Sequence, residues 1–165
     1  MKDIQDLIIL IKDRFGSDII SADTSADIPT IVVTSSSVYN VIEFLKNDTE
    51  TAFSFLTDLC GIHYPDNELP LGVIYHLHNL LQNKRLRIKT FVTSEKPEVA
   101  TLTPLFSAAN WMERETYDFY GIIFTGHPNL IRILNVEYLD FFPMRKEYPL
   151  EDPTREDKDN RFFGR

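Results

Sequence analysis

Leu71 to Thr93 read LGVIYHLHNLLQNKRLRIKTFVT. Two β-preferring runs, LGVIYHLHNLL and KRLRIKTFVT, flank the polar pair Gln82 and Asn83, the pattern of an antiparallel hairpin. In the second run Lys84, Leu86, Ile88 and Thr90 alternate with Arg85, Arg87, Lys89 and Phe91. That alternation predicts a sheet with one face buried and one wet. Everything else in the chain has to cover the buried face.

Upstream, TAFSFLTDLCGIHY (51–64) reads as a longer strand, joined to the hairpin by a loop from Pro65 to Pro70. Residues 1–16 read as an amphipathic helix, with Ile4, Leu7, Ile8, Ile11 and Phe15 at helical spacing and Gly16 as the stop. DIISAD and IPTIVVT are two short strands joined by the polar turn from Thr24 to Asp27. Ser36 or Ser37 can cap a second helix to about Lys46, which places Val38, Val41, Ile42 and Leu45 on one face.

Downstream, Thr103 and Pro104 read as a helix start, with threonine as cap and proline at the first helical position. This helix ends near Gly121, which can take the left-handed conformation of a helix stop, and its apolar stripe is Leu105, Ala108, Met112 and Phe119. The expected fold is an α+β two-layer domain over residues 1–142, a mostly antiparallel or mixed sheet of about five strands with helices on one side. Pro143, Pro149 and Pro153 then exclude regular helix, and 143–165 read as an extended, partner-binding tail. Phe162 and Phe163 at its end are either anchors for another chain or a contact back onto their own domain.

Composition narrows the function. The chain has 165 residues, enough for one core, and a formal net charge of −8, which argues against nucleic acid as partner. The longest aliphatic run, Leu7 to Ile11, is far too short to span a bilayer. Asp3 and Asp6 stand where a secretory signal needs basic residues, so a cytosolic location is expected. A single cysteine, Cys60, gives no disulfide framework and reads as a small buried apolar residue. The scattered glycines form no phosphate-binding fingerprint, and no GxSxG elbow occurs.

The titratable side chains concentrate in MERETYDFYGIIFTGHPNLIRIL, Met112 to Leu134. Arg114 and Asp118 lie one helical turn apart and read as a surface ion pair, and the acids Glu113 and Glu115 as a solvated face. The competing reading is an acid–base or metal enzyme using Glu113, Glu115 and His127, which needs two groups converging on a cleft. His127 sits in a turn set by Gly126 and Pro128. His76 and His78 share a strand face and could begin a metal site, with His63 as third ligand only if the strands align. The stripe Arg85, Arg87 and Lys89 is a wet sheet face or the contact for an acidic partner.

ERETYDFYGIIFTGHPNLIRIL resembles the signature of the C-type subunit of NADH:quinone oxidoreductase, respiratory complex I, with Glu113, Arg114, Glu115, Asp118, Phe119, Tyr120 and His127 in register. LFSAANWMERE, YHLHNLLQNKRLRIK and PMRKEYPL are similar to that family as well, so the likeness covers most of the chain beyond about Phe53. Ile131 departs from it, standing where the family usually has a basic residue, as does Asn135 to Phe142, which lacks the usual glycines.

The resemblance implies a protein with no cofactor of its own in a complex that carries FMN and iron–sulfur clusters. It implies the D-type subunit and the iron–sulfur subunits of the hydrophilic arm as partners, and a peripheral place on the cytoplasmic side of the cell membrane. Related small subunits occur in membrane-bound hydrogenases, which leaves the electron donor open. No catalytic or metal residue is expected. Glu113, Arg114, Glu115, Asp118 and Gly121 are expected to orient the helix end, and His127, Arg132, Arg145 and Lys146 to make charge-assisted contacts within or across an interface.

Overall fold

A computed structural model describes residues 4–148. Its elements are α1 (Ile4–Phe15), β1 (Ile19–Asp23), β2 (Thr30–Val33), α2 (Val38–Asn47), β3 (Phe55–His63), β4 (Leu71–Asn79), β5 (Lys84–Val92), β6 (Glu98–Ala100), α3 (Ala109–Tyr120) and β7 (Ile123–Thr125). Five strands form one mixed sheet in the order β1-β2-β5-β4-β3. The expected hairpin is β4 and β5, in antiparallel register from Leu71 opposite Val92 to Asn79 opposite Lys84. Asn83 closes its turn at φ 51°, and the buried Asn79 side chain accepts the Gln82 amide at 3.0 Å. The single parallel pair of that sheet, β2 with β5, arises because α2 carries the chain across to β3 and the β3-β4-β5 meander returns to β2.

Alternation sorts the two faces as expected. Leu71, Val73, Tyr75 and Leu77 of β4 and Leu86, Ile88 and Val92 of β5 are buried, together with Leu7, Ile8 and Ile11 of α1 and the α2 stripe Val38, Val41, Ile42 and Leu45. Ala109 of α3 belongs to the same core, so the helices lie on one side. A Cβ on Gly61 of β3 would collide with the Tyr120 ring, so glycine there is what lets α3 approach the sheet.

Two expectations fail in detail, and one feature was not foreseen. Ser37 precedes α2 but caps nothing with its side chain, its backbone being already helical at φ −109° and ψ −6°. The third helix begins at Ala109, not at Thr103. Thr103 and Pro104 instead enter a closed turn in which the amides of Leu105 and Phe106 both donate to the Leu102 carbonyl. The strands β6 and β7, a separate two-stranded parallel sheet, have no forerunner in the sequence reading, because three-residue strands carry no measurable alternation.

Candidate functional site

With Leu105 and Ala108 outside α3, its buried face is not the expected stripe but one set a residue further on, through Ala109 and Glu113. Ala109, Glu113, Thr116 and Asp118 are buried, whereas Ala108 is exposed and Met112 and Phe119 are only half-buried. Both Glu113 and Asp118 are therefore inside the protein, and the solvated-face and surface-pair expectations are overturned. Glu115 is the exception and is exposed.

Glu113 is wholly inaccessible and is held by its own chain. The Thr101 hydroxyl donates to Oε2 at 2.5 Å and the Leu102 amide to Oε1 at 2.6 Å. A helix running on from Thr103 would forbid this, because it would carry Glu113 about 15 Å along the axis, beyond reach of Leu102. His127 Nε2 lies 4.0 Å from Oε2, and both side chains are fully buried. Its Nδ1 accepts the Asn129 amide at 3.0 Å, which leaves the ring proton on Nε2 to be donated to the Asn110 carbonyl at 3.1 Å. Burial pushes the Glu113 carboxyl up to about 7, against the opposing bonds from Thr101 and Leu102. The same carboxylate lies near the buried Tyr75 phenol; burial first and Glu113 second raise that group well above its ordinary value.

Asp118 has the opposite environment. Arg132 Nη1 donates to Oδ1 at 2.7 Å, and the amides of Ile133, Leu134 and Asn135 all donate to Oδ2, at 3.1, 2.8 and 2.8 Å. Burial opposes the ionised form, but these amides and the guanidinium outweigh it and hold the carboxyl well below the usual carboxylate range. Arg132 also donates to the Leu139 and Phe141 carbonyls, at 2.7 and 3.0 Å. Arg114, expected to pair with Asp118, instead donates to the carbonyls of Ile131 and Arg132, at 3.1 and 3.0 Å. The ion pair of this region thus joins residues fourteen apart in sequence.

Gly121 ends α3 at φ 73°, as expected, and a second constraint falls on it: a Cβ there would lie 2.5 Å from the Phe142 ring. That ring sits under two guanidiniums, Arg132 at 5.1 Å and Arg145 at 4.8 Å from its centroid. Arg145 Nε donates to the Tyr120 carbonyl at 2.8 Å, and the Lys146 amide donates to His63 Nδ1 at 2.9 Å. The Lys146 contact comes from its backbone, and its side chain is exposed. Phe142 was not picked out in the sequence, and His63 was weighed there only as a metal ligand. Neither carries a local signal, since each meets a partner far away in the chain.

The structure therefore gathers Glu113, Arg114, Asp118, Gly121, His127, Arg132, Arg145 and the Lys146 backbone around α3, leaves Glu115 outside, and does not describe Phe162 and Phe163. Glu113 and His127 adjoin, and the exposed Glu115 does not join them. A cavity of about 610 Å³ runs past Ile20, Leu69, Phe91 and Glu98, and none of these groups lines it.

His63 faces the buried side of the sheet opposite Leu71, so it cannot join His76 and His78. His76 Nε2 accepts from Arg87 Nε at 2.8 Å, and His78 Nε2 lies 3.2 Å from the Asn83 side-chain oxygen. Among the described residues no three His, Cys, Asp or Glu side chains converge as a metal site, and no helix is long and apolar enough to cross a membrane. Cys60 is half-buried on the outer sheet face and not in the core, and burial raises its thiol.

Residues 31–154 match the family described as respiratory-chain NADH dehydrogenase, 30 Kd subunit. The chain is 38% identical over 147 residues to the C-type subunit of NADH-quinone oxidoreductase from Methylobacterium sp. (strain 4-46), a match covering 89% of this chain and 68% of the relative. It is 43% identical over 121 residues to the same protein of Methylobacterium radiotolerans, covering 73% of this chain and 56% of that one. Among solved structures it resembles the trypsin-resistant fragment (1–134) of Nqo5, with a TM-score of 0.65 and 28% identity over 77% of this chain and 98% of the fragment. A chain of an archaeal membrane-bound sulfane sulfur reductase shares the fold, with a TM-score of 0.75 over 96% of this chain and 98% of that one at 19% identity.

Proposed function

Since this chain belongs to the respiratory-chain NADH dehydrogenase 30 Kd subunit family, we propose that it is a non-catalytic scaffold in the hydrophilic arm of an NADH:quinone oxidoreductase. In this reading it rigidifies the quinone-side module beside the D-type and iron–sulfur subunits, on the cytoplasmic side of the membrane, which it meets only through the complex. The complex passes electrons from NADH to quinone and couples this to proton translocation. FMN and the iron–sulfur clusters belong to its other subunits.

The observation that carries the reading is the inward use of the signature. Asp118 and Arg132 bind the chain's own amides, carbonyls and each other, and so hold an irregular segment in one shape. Such a network shapes a surface, and both acids, Glu113 and Asp118, are taken up by contacts within the chain.

The test is a tagged full-length chain expressed in its native membranes, solubilised gently and resolved by native gel and mass spectrometry. The expected result is co-migration with D-type and iron–sulfur subunits and with NADH:quinone reductase activity. A chain that migrates alone while other respiratory complexes stay intact ends the proposal. The fold shared with the sulfane sulfur reductase chain favours a second reading, the matching small subunit of a different membrane-bound redox complex, such as a hydrogenase. Co-migration with nickel-binding subunits in place of the NADH- and FMN-binding ones would establish it.

A further inference from the structure

The segment that Asp118 and Arg132 hold in place turns apolar side chains outward. Ile131, Leu134, Val136 and Tyr138 are exposed, Leu134 to 65% and Tyr138 to 87%. Trp111 of α3, 61% exposed, is linked to the segment through Arg114, whose guanidinium lies 5.2 Å from the indole ring while its nitrogens bind the Ile131 and Arg132 carbonyls. A loop without regular structure would ordinarily fold back over such side chains. Here the amides of Ile133, Leu134 and Asn135 and the carbonyls of Leu139 and Phe141 are tied to Asp118 and Arg132, which prevents it.

Two physical consequences follow from that arrangement. The ordering entropy of the segment is settled in folding and not at association, which is what pre-organisation means for affinity. Tryptophan, tyrosine and arginine beside aliphatic side chains are also the composition that dominates binding energy at protein interfaces. Charge then sets the partner. Between residues 128 and 144 the one cation is Arg132, buried against Asp118, whereas Glu137 and Asp140 are exposed. Glu115, also exposed, follows Trp111 by one helical turn. Among the described residues the fully exposed charges around the apolar side chains, Glu115, Glu137 and Asp140, are acidic, while the cation beside Trp111, Arg114, is half-buried with its guanidinium on the Ile131 and Arg132 carbonyls.

We propose that Trp111, Ile131, Leu134, Val136 and Tyr138 form a preformed docking surface for an apolar, basic-rimmed face of a neighbouring protein in the complex. This rests on the reading of the chain as one component of a larger assembly and adds which side of it meets the partner.

Tagged full-length wild type, L134E/Y138E and E137K/D140K would be compared in native membranes, with thermal melts of each purified chain as the folding control. All substituted positions are exposed, so the melts should coincide. The fraction of L134E/Y138E found in the assembly should fall roughly tenfold or more. That of E137K/D140K should fall less, with a deficit that shrinks in high salt. Normal assembly of L134E/Y138E overturns the surface and leaves the reading of the chain as a complex component intact, whereas a wild type that migrates alone overturns both. Trp111 is the sole tryptophan and reports the occupant directly. If its emission in the isolated chain shifts to the red on removal of residues 149–165, the chain's own tail covers the surface and the proposal fails. It fails equally if the wild type is a dimer in solution that L134E/Y138E abolishes.

Discussion

Arg132 Nη1 and Asp118 Oδ1 meet at 2.7 Å, both side chains almost wholly removed from solvent. Around this contact three amides converge on the acid and two further carbonyls on the arginine. The pair is the joint between the C-terminal half of α3 and the irregular chain that follows β7.

Arg132→Ala should therefore be among the most damaging single substitutions. It leaves Asp118 buried without its cation and the Leu139 and Phe141 carbonyls without a donor, a loss of about 3–5 kcal/mol by comparison with other broken buried pairs. Urea denaturation of the purified chain measures it. A loss below about 1 kcal/mol would mean that the amides alone suffice.

The Glu113 carboxyl should make stability fall as pH rises. Its folded value of about 7 lies above the ordinary 4.5, so the folded protein binds the proton more tightly than the unfolded chain does. Its contribution is fully present below about pH 4.5 and is lost as pH climbs through about 7, on the order of 3 kcal/mol in all. Asp118, shifted the other way, adds no slope in that window. Denaturation curves of wild type and Glu113→Gln at pH 5 and pH 8 isolate the effect; parallel pH dependence in the two proteins would refute it.

Gly121→Ala combines two penalties. Alanine is strained at φ 73°, and its Cβ would displace the Phe142 ring against which both Arg132 and Arg145 lie. A loss of roughly 1–3 kcal/mol is expected, with the melting temperature lowered by several degrees. A melting temperature equal to wild type would show that the ring moves aside freely.

His63→Ala should free the far end of the same segment. Without Nδ1 the Lys146 amide loses its acceptor, and the bonds after Arg145 and Lys146 become better trypsin substrates. A cleavage rate at these sites severalfold above wild type is the expected pattern, measured well below the melting temperature, which the lost buried ring lowers by a few degrees. Unaltered cleavage would mean that the Arg145 contacts hold the segment by themselves.

Glu115→Ala is the contrasting case. The side chain is exposed, so a change within about 0.5 kcal/mol is expected despite its place between Arg114 and Asp118 on α3. A loss matching that of Arg132→Ala would show that the helix face is assigned wrongly.

Much of the frame was legible without coordinates. The α2 stripe, the β4–β5 register and the stop at Gly121 each follow from periodicity or backbone preference over a few neighbouring residues. The start of α3 misled, because Thr103 and Pro104 suit a turn as well as a helix and only the Leu102 carbonyl decides between them. Counting Leu105 and Ala108, which precede the helix, into its apolar stripe picked the wrong face and so hid the burial of Glu113 and Asp118.

The sequence by itself determined the family and the fold class, since these rest on the identity and spacing of side chains along the chain, and it gathered most of the titratable signature in one stretch. Only the tertiary structure decided what those residues do. A carboxylate reads the same in water and in a core, and its role is set by which distant groups reach it. For Glu113 these are Thr101 and Leu102, and for Asp118 they are Arg132 and the amides beyond it. Burial then made the two differ, lifting one acid toward neutrality where no cation meets it and holding the other ionised where one does.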